Sequence, residues 1–305
     1  MKTLNHYINE ALIKKDTKIE EYKYHPKDKD ELISLIKKLL EERGEDAYLN
    51  DIDISKIIDM SWLFNELKPH NIDISEWDVS NVENMAGMFF ECEKFNCDLS
   101  KWDVHNVKNM RSMFAQCYEF NSDLSNWNVS KVEDMQWTFA GCENFNCDLS
   151  KWDVSNVKAM QRMFGNCKKF NSDLSKWDVS NVNHMKAMFY QCHEFNSDLS
   201  KWDVSKVNIM AHMFYQCHKF NSDLSKWDIS NVRFMEYMFY QCYEFNSDLS
   251  RWDVNKAEDM QSMFYKCKKF NSDLSNWNIS KVKNMHSMFR ECTSLKNKPS
   301  WYYKK

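Results

Sequence analysis

A chain of 305 residues with a formal charge of -4 and a pI near 6.2 lacks the basic excess that nucleic-acid or anionic-membrane binding calls for. Its 4 glycines and 3 prolines are too few for a linker-rich protein, while 43% hydrophobic and 15% aromatic residues suffice for a core. No apolar run approaches the roughly 18 residues needed to span a bilayer.

The first residues, Met1-Lys2-Thr3-Leu4-Asn5-His6-Tyr7, lack the continuous apolar stretch of a signal peptide. That predicts a cytoplasmic protein, or one exported without such a signal; a leader removed from a precursor would make it a surface or secreted protein. Leu4, Tyr7, Ile8, Ala11 and Leu12 form an amphipathic helical stripe. A charged stretch over 14–30 is broken at Pro26. Residues 31–43 read as a second helix, with Leu32, Ile33, Leu35, Ile36, Leu39 and Leu40 apolar and Gly44 as its stop.

A repeat takes over from there. Between positions 77 and 277 Trp recurs every 25 residues, as do Met between 85 and 285 and Cys between 92 and 292, nine times each. A degenerate unit precedes them: Ile52, Ile54, Ile57, Met60, Leu63, Phe64 and Leu67 stand 25 before Trp77, Val79, Val82, Met85, Met88, Phe89 and Cys92. One unit, from Leu99, reads LSKWDVHNVKNMRSMFAQCYEFNSD. Trp102 and Val104 alternate with Lys101, Asp103 and His105, which predicts a short strand with one buried face. Val107, Met110, Met113, Phe114 and Cys117 are spaced by three and four, which predicts a short helix or 3₁₀ turns. Ser80 and Glu83, like Ser130 and Glu133, have the S-x-x-E spacing of a capping box at that helix's start. Such a unit cannot bury its apolar face alone, but stacked units can. The expected fold is therefore an α/β repeat: a right-handed leucine-rich-repeat-like solenoid with one parallel strand and one short helix per coil. Ten coils, at about 4.8 Å each, give a sheet of roughly 45 Å. Residues 51–301 form the ten coils, 1–50 a helical segment with an N-terminal cap, and 302–305 a tail. Within the segment, 28–50 is the expected cap, and the first helix either joins it or serves as a detachable partner-binding or targeting element. At the other end Leu295 replaces the usual Phe, and Trp301, Tyr302 and Tyr303 fold over the last coil.

The motif L-x-x-W-D-V-S-N-V-x-x-M-x-x-M-F-x-x-C-x-x-F-N-x-D closely resembles the BspA-like leucine-rich-repeat family in its 25-residue form, over about four-fifths of the chain. The resemblance implies a solenoid with its strand on one face. It also implies a bacterial or phage origin, since family members are described mainly as bacterial surface or adhesion proteins, with similar repeats in phage and mobile elements.

The cysteine row sets one thiol per coil side by side, which does not converge on the four ligands of a structural zinc; buried reduced thiols are expected. Cys97 and Cys147, two coils and about 10 Å apart, exceed the reach of a disulfide. The Met and Trp rows read as core. Nine histidines are scattered, and no GxSxG, Walker A, HExxH or GxGxxG pattern is present. No catalytic group, cofactor or metal is therefore predicted. Asp98, Asp123 and their equivalents are expected in Asx turns, and the row from Asn96 to Asn271 as a buried asparagine ladder.

Two surfaces are candidates for binding. Lys176, Lys201 and Lys226 run beside Asp178, Asp203 and Asp228 on the strand's outward side, a self-neutralising face or a platform for a repetitive ligand. Phe90, Tyr190, Tyr215, Tyr240 and Tyr265 share one position on the helix side, and Tyr118, His193, His218 and Tyr243 another, with Trp137, Arg162, Phe234 and Tyr237 nearby. Tyr190 to Tyr265 stand on four successive coils. Earlier coils carry Ala115, Ala140 and Gly165 at the Tyr position. A non-enzymatic scaffold that binds a protein partner through this stripe is the expected function, with no nucleic acid and no membrane span. The alternatives are an adhesin that binds a host protein or glycan, and a toxin-like or enzymatic role in residues 1–50.

Overall fold

The computed structural model describes residues 22–303; the helical stripe expected at 4–12 lies outside them, as do Lys304 and Lys305. Helix α1, Lys29–Arg43, begins where the Asp28 side chain accepts the Glu31 N–H at 2.9 Å and ends at Gly44, whose φ of 82° suits glycine and whose N–H returns to the Leu40 carbonyl. Asp30 and Glu31 in the first turn and Arg43 in the last match the helix dipole. Leu32, Ile36 and Leu39 are buried in the same hydrophobic cluster as the repeats. Lys29 Nζ reaches the Ser61 carbonyl at 2.9 Å, and Arg43 forks onto Asp51 at 2.9 and 2.8 Å, so α1 is tied to the first coil.

From there the chain is a repeat solenoid. Its Trp, Val, Met, Phe and Cys rows run through one continuous core, nearly all fully buried. Neighbouring coils meet in a single parallel bridge, from Asp59–Asn84 through Asp259–Asn284.

The backbone of the coil corrects two expectations. The stretch from Val107 to Cys117 forms no helix. It is a chain of overlapping turns, as in the coil before it, where Met88, Phe90 and Cys92 donate to the carbonyls three residues back, Met85, Gly87 and Phe89, at 3.0–3.2 Å. Two residues per coil are left-handed. One row runs Trp62, Gly87, Ser112, Trp137, Arg162, Ala187, His212, Tyr237, Ser262 and Ser287, with φ of 49–61°. The other runs from Glu91 to Glu291, with φ of 57–86°. A left-handed third residue is the signature of a type II turn. The residues between the turn donors face the next coil: Met85, Gly87, Phe89 and Glu91 donate to the carbonyls of Asn109, Arg111, Met113 and Ala115 at 2.8–2.9 Å. An α-helix would consume every one of these groups internally. The alternating pattern divides them, half closing the turn and half joining the coils, and this second set offsets the roughly 1–2 kcal/mol that each left-handed residue costs.

The segment expected as a strand, 99–105, pairs with no neighbour through its backbone. Several of its N–H groups are engaged elsewhere: Trp102 with the Leu99 carbonyl, Ser100 with Asp98 Oδ1, and His105 with Asp103 Oδ1. Side chains join the coils here instead. The indole N–H of Trp127 donates to the Leu99 carbonyl at 3.0 Å, 28 residues back, and each Trp up to Trp277 repeats this. The Cys117 thiol donates to the Phe89 carbonyl at 2.9 Å, and the Leu149 N–H to Ser172 Oγ at 2.8 Å. The asparagine ladder forms, with the Asn121 N–H on Asn96 Oδ1 at 2.8 Å, but it is exposed rather than buried. The capping boxes do not form: Glu83 pairs with Lys108 at 2.7 Å in the next coil. At the C-terminal end Trp301 stacks on Trp277 with ring centroids 6.4 Å apart and donates to the Leu274 carbonyl at 2.9 Å, which continues the Trp row.

Ring separations show how the coils sit. In near-parallel stacks they are 4.6 Å for Tyr215–Tyr240, 5.6 Å for Phe114–Phe139, 5.9 Å for Phe120–Phe145 and 6.4 Å for Trp102–Trp127. The coils approach most closely along the turn face and splay toward the Trp side.

Candidate binding surface

The residue after Phe89 and its equivalents lie on the turn face, where the small Ala115, Ala140 and Gly165 are buried and the aromatic side chains are half-buried. Tyr190, Tyr215, Tyr240 and Tyr265 occupy that position and stack in one column, with centroids 4.6–4.7 Å apart and planes within 11°. A second column holds His193, His218 and Tyr243 at 4.6 and 4.8 Å. Between them Gln191 donates to Gln216 at 2.7 Å and Gln216 to Gln241 at 2.8 Å. These seven sequence-predicted aromatic and histidine residues therefore fall on one surface, each half-buried.

A third column was not singled out from sequence. His212 stacks on Tyr237 at 4.8 Å, on the row of left-handed residues that also carries Trp137 and Arg162. The signal was available, since His212 and Tyr237 stand 25 apart, but it is visible only when unlike aromatic types are aligned together. Cations close the ends of the columns. The Arg162 guanidinium lies 5.4 Å from the Tyr190 ring, Lys266 5.4 Å from Tyr265 and Lys268 4.9 Å from Tyr243. The Tyr265 hydroxyl donates to Glu291 at 3.0 Å.

Burial governs the electrostatics. It pushes the Tyr215 phenol up to about 12, helped by the neighbouring phenols. It pushes His212 down to about 4, with Lys186 and Arg162 adding to the effect. His184, His193 and His218 are lowered for the same first reason. These rings are neutral at pH 7 and present a surface of stacked π faces and amides.

The opposite candidate is built differently. Lys176, Lys201 and Lys226 and Asp178, Asp203 and Asp228 are exposed in two parallel rows flanking the buried Trp row. One oxygen of each Asp is held by the N–H of Ser180, Ser205 or Ser230 at 3.0 Å. Shallow hollows of about 490 and 710 Å³ lie among these side chains. This face recurs with few changes from coil to coil, such as Asn126 and Asn128 in place of Lys and Asp, whereas the aromatic face exists only in part of the molecule.

All eleven cysteines are free thiols, and burial pushes the row from Cys92 to Cys292 up in pKa. Among the described residues no His, Cys, Asp and Glu side chains gather as a metal site, and no helix is long and apolar enough to cross a membrane.

Comparison with curated proteins and with solved structures returns no match. One family model, described as "Mycoplasma protein of unknown function, DUF285", matches in three overlapping stretches, residues 36–150, 122–210 and 194–302. Together these span the second half of α1 and the coils, and the chain belongs to the DUF285 family.

Proposed function

We propose that this chain is a non-enzymatic scaffold that binds a protein partner along the Tyr190–Tyr215–Tyr240–Tyr265 column. The observation that carries this reading is the confinement of three stacked aromatic columns to neighbouring coils, on the face where the coils approach most closely. Large rigid rings with polar tips are what protein interfaces concentrate, and the pre-stacked columns lose little side-chain freedom on binding. Solenoids offer extended surfaces of this kind. On the same reading the array is a right-handed solenoid of the BspA-like leucine-rich-repeat type, the hand that connections between parallel segments take, and α1 caps its first coil.

The test is partner capture from native cell extract by the full chain, by a variant with all four tyrosines changed to Ser, and by one with Lys176, Lys201 and Lys226 changed to Glu. The tyrosine variant should stay folded and lose capture. Capture that survives there and fails in the lysine variant would move the site to the Lys/Asp face. Loss of a glycan rather than a protein in the tyrosine variant would make the chain an adhesin.

A further inference from the structure

The row of bridge residues contains a second pattern. In six coils the bridge residue is Asp or Asn, and its Oδ1 accepts the N–H two residues on at 2.8–3.2 Å: Asp59, Asn84, Asn109, Asp134, Asp259 and Asn284. In four successive coils the residue is Ala159, His184, Ile209 or Phe234. The N–H groups of Gln161, Lys186 and Ala211 then find no acceptor among the described residues, while the Glu236 N–H is met by its own carboxylate. Ile209 and Phe234 are bulky, half-buried apolar residues. Ala159 is the smallest of the four.

Beside Ala159 lies a cavity of about 260 Å³ lined by Trp137, Gln161, Arg162, His184 and Lys186. Elsewhere on the turn face cations reach carboxylates one coil away, as Lys108 does to Glu83 and Lys168 to Glu143, both at 2.7 Å. Arg162 and Lys186 reach none among the described residues. The Arg162 guanidinium lies over the Trp137 ring at 4.6 Å. The Nδ1 atoms of His184 and His212 are buried without a hydrogen-bond partner. Both cations depress His212, and Lys186 depresses His184, so their fields overlap here; the half-buried Glu236 carboxylate, which burial pushes up in pKa and Lys186 pulls down, lies in the same field without forming an ion pair. Positive charge, an unsatisfied backbone donor and a missing carboxylate oxygen coincide at one place.

We propose that this cavity is an oxyanion-binding site, in which a carboxylate or phosphate oxygen of a ligand stands over Ala159 where Asp134 Oδ1 stands one coil earlier. The ligand oxygen accepts the Gln161 N–H. Arg162 and Lys186 balance its charge. The Trp137 ring walls the site on one side, next to the guanidinium. The site does not depend on whether the tyrosine column binds a protein.

The test follows the backbone amide resonances of the full chain during titration with sodium acetate and, separately, sodium phosphate, against sodium chloride at matched ionic strength. The Gln161 amide should shift downfield and saturate with at least one of the two oxyanions, while the Arg111 amide, already held by Asn109, stays in place. A response to acetate alone identifies a carboxylate ligand, and a response to phosphate a phosphorylated one. Ala159→Asp supplies the protein's own carboxylate and should abolish the saturable shift with the unfolding midpoint maintained. Arg162→Gln, which leaves Ala159 untouched, should weaken binding about tenfold or more, the worth of a charge-assisted hydrogen bond. The proposal is overturned if chloride reproduces the shift, if neither oxyanion saturates, or if a folded Ala159→Asp chain or the Arg162→Gln chain binds as the parent does.

Discussion

Trp177 shows what one residue of the repeat does. Its ring is 4% exposed, and its indole N–H donates to the Leu149 carbonyl at 3.0 Å in the preceding coil. Trp177→Ala should lower stability by about 3–5 kcal/mol, as large-to-small changes at a buried aromatic do. Trp177→Phe should cost less, about 1–3 kcal/mol, because the Leu149 carbonyl keeps its turn bond from the Trp152 N–H at 3.1 Å and is not orphaned. Urea denaturation reads both, and an unchanged midpoint for the Ala variant would mean that the Trp row does not carry the core. At this scale much was legible: a row of identical residues at a fixed interval must share one environment, and apolar rows are buried. The exposed asparagine row was harder. A ladder of side-chain-to-backbone bonds satisfies Asn121 as well at the surface as inside, so the residue type does not reveal its depth.

The element scale is where sequence reading stopped short. α1 was legible because its apolar period and a terminal Gly agree on it, although its start at Lys29, capped by Asp28, lies two residues before the expected one. The coil was not, because Val107, Met110, Met113, Phe114 and Cys117 have a spacing that a helix and a run of i→i+3 turns share. Periodicity reports which side chains point inward; it is silent on whether a backbone N–H closes its own turn or crosses to the next coil. Glycine would have marked the left-handed positions, yet only Gly87 and Gly141 occupy them, among residues as varied as Trp62, Arg162 and Tyr237. The two architectures make opposite predictions at Ser112, whose φ is 55°. In a helix Ser112→Gly would cost roughly 0.5 kcal/mol. In the observed turn it should be neutral or stabilising by up to about 1 kcal/mol, and Ser112→Val should destabilise by about 1–2 kcal/mol. Thermal unfolding of the pair decides between them; a more stable Val variant would be incompatible with the left-handed turn.

For the whole molecule, every interior joint is made by the same atoms at the same positions: five backbone bonds, an indole, a thiol and an amide. Stability is then close to a sum of coil and joint contributions. Excision of residues 103–127, which joins Trp102 to Asn128, removes one complete coil away from the aromatic columns. The shortened chain should fold, unfold at a slightly lower temperature and measure about 5 Å less along its axis by small-angle scattering. Excision of 103–126 instead puts every later ladder out of register and should abolish cooperative unfolding. If the two deletions behave alike, the joints are not the source of order.

The same uniformity has a consequence for inheritance. A gene that encodes near-identical segments in tandem can misalign with its own copy and gain or lose one segment whole, and a chain built from interchangeable joints survives the change. The distance from α1 to the tyrosine column would then vary between descendants in steps of one coil, with both ends unaltered. Reach becomes a trait that can be adjusted by counting, without any new side chain having to arise.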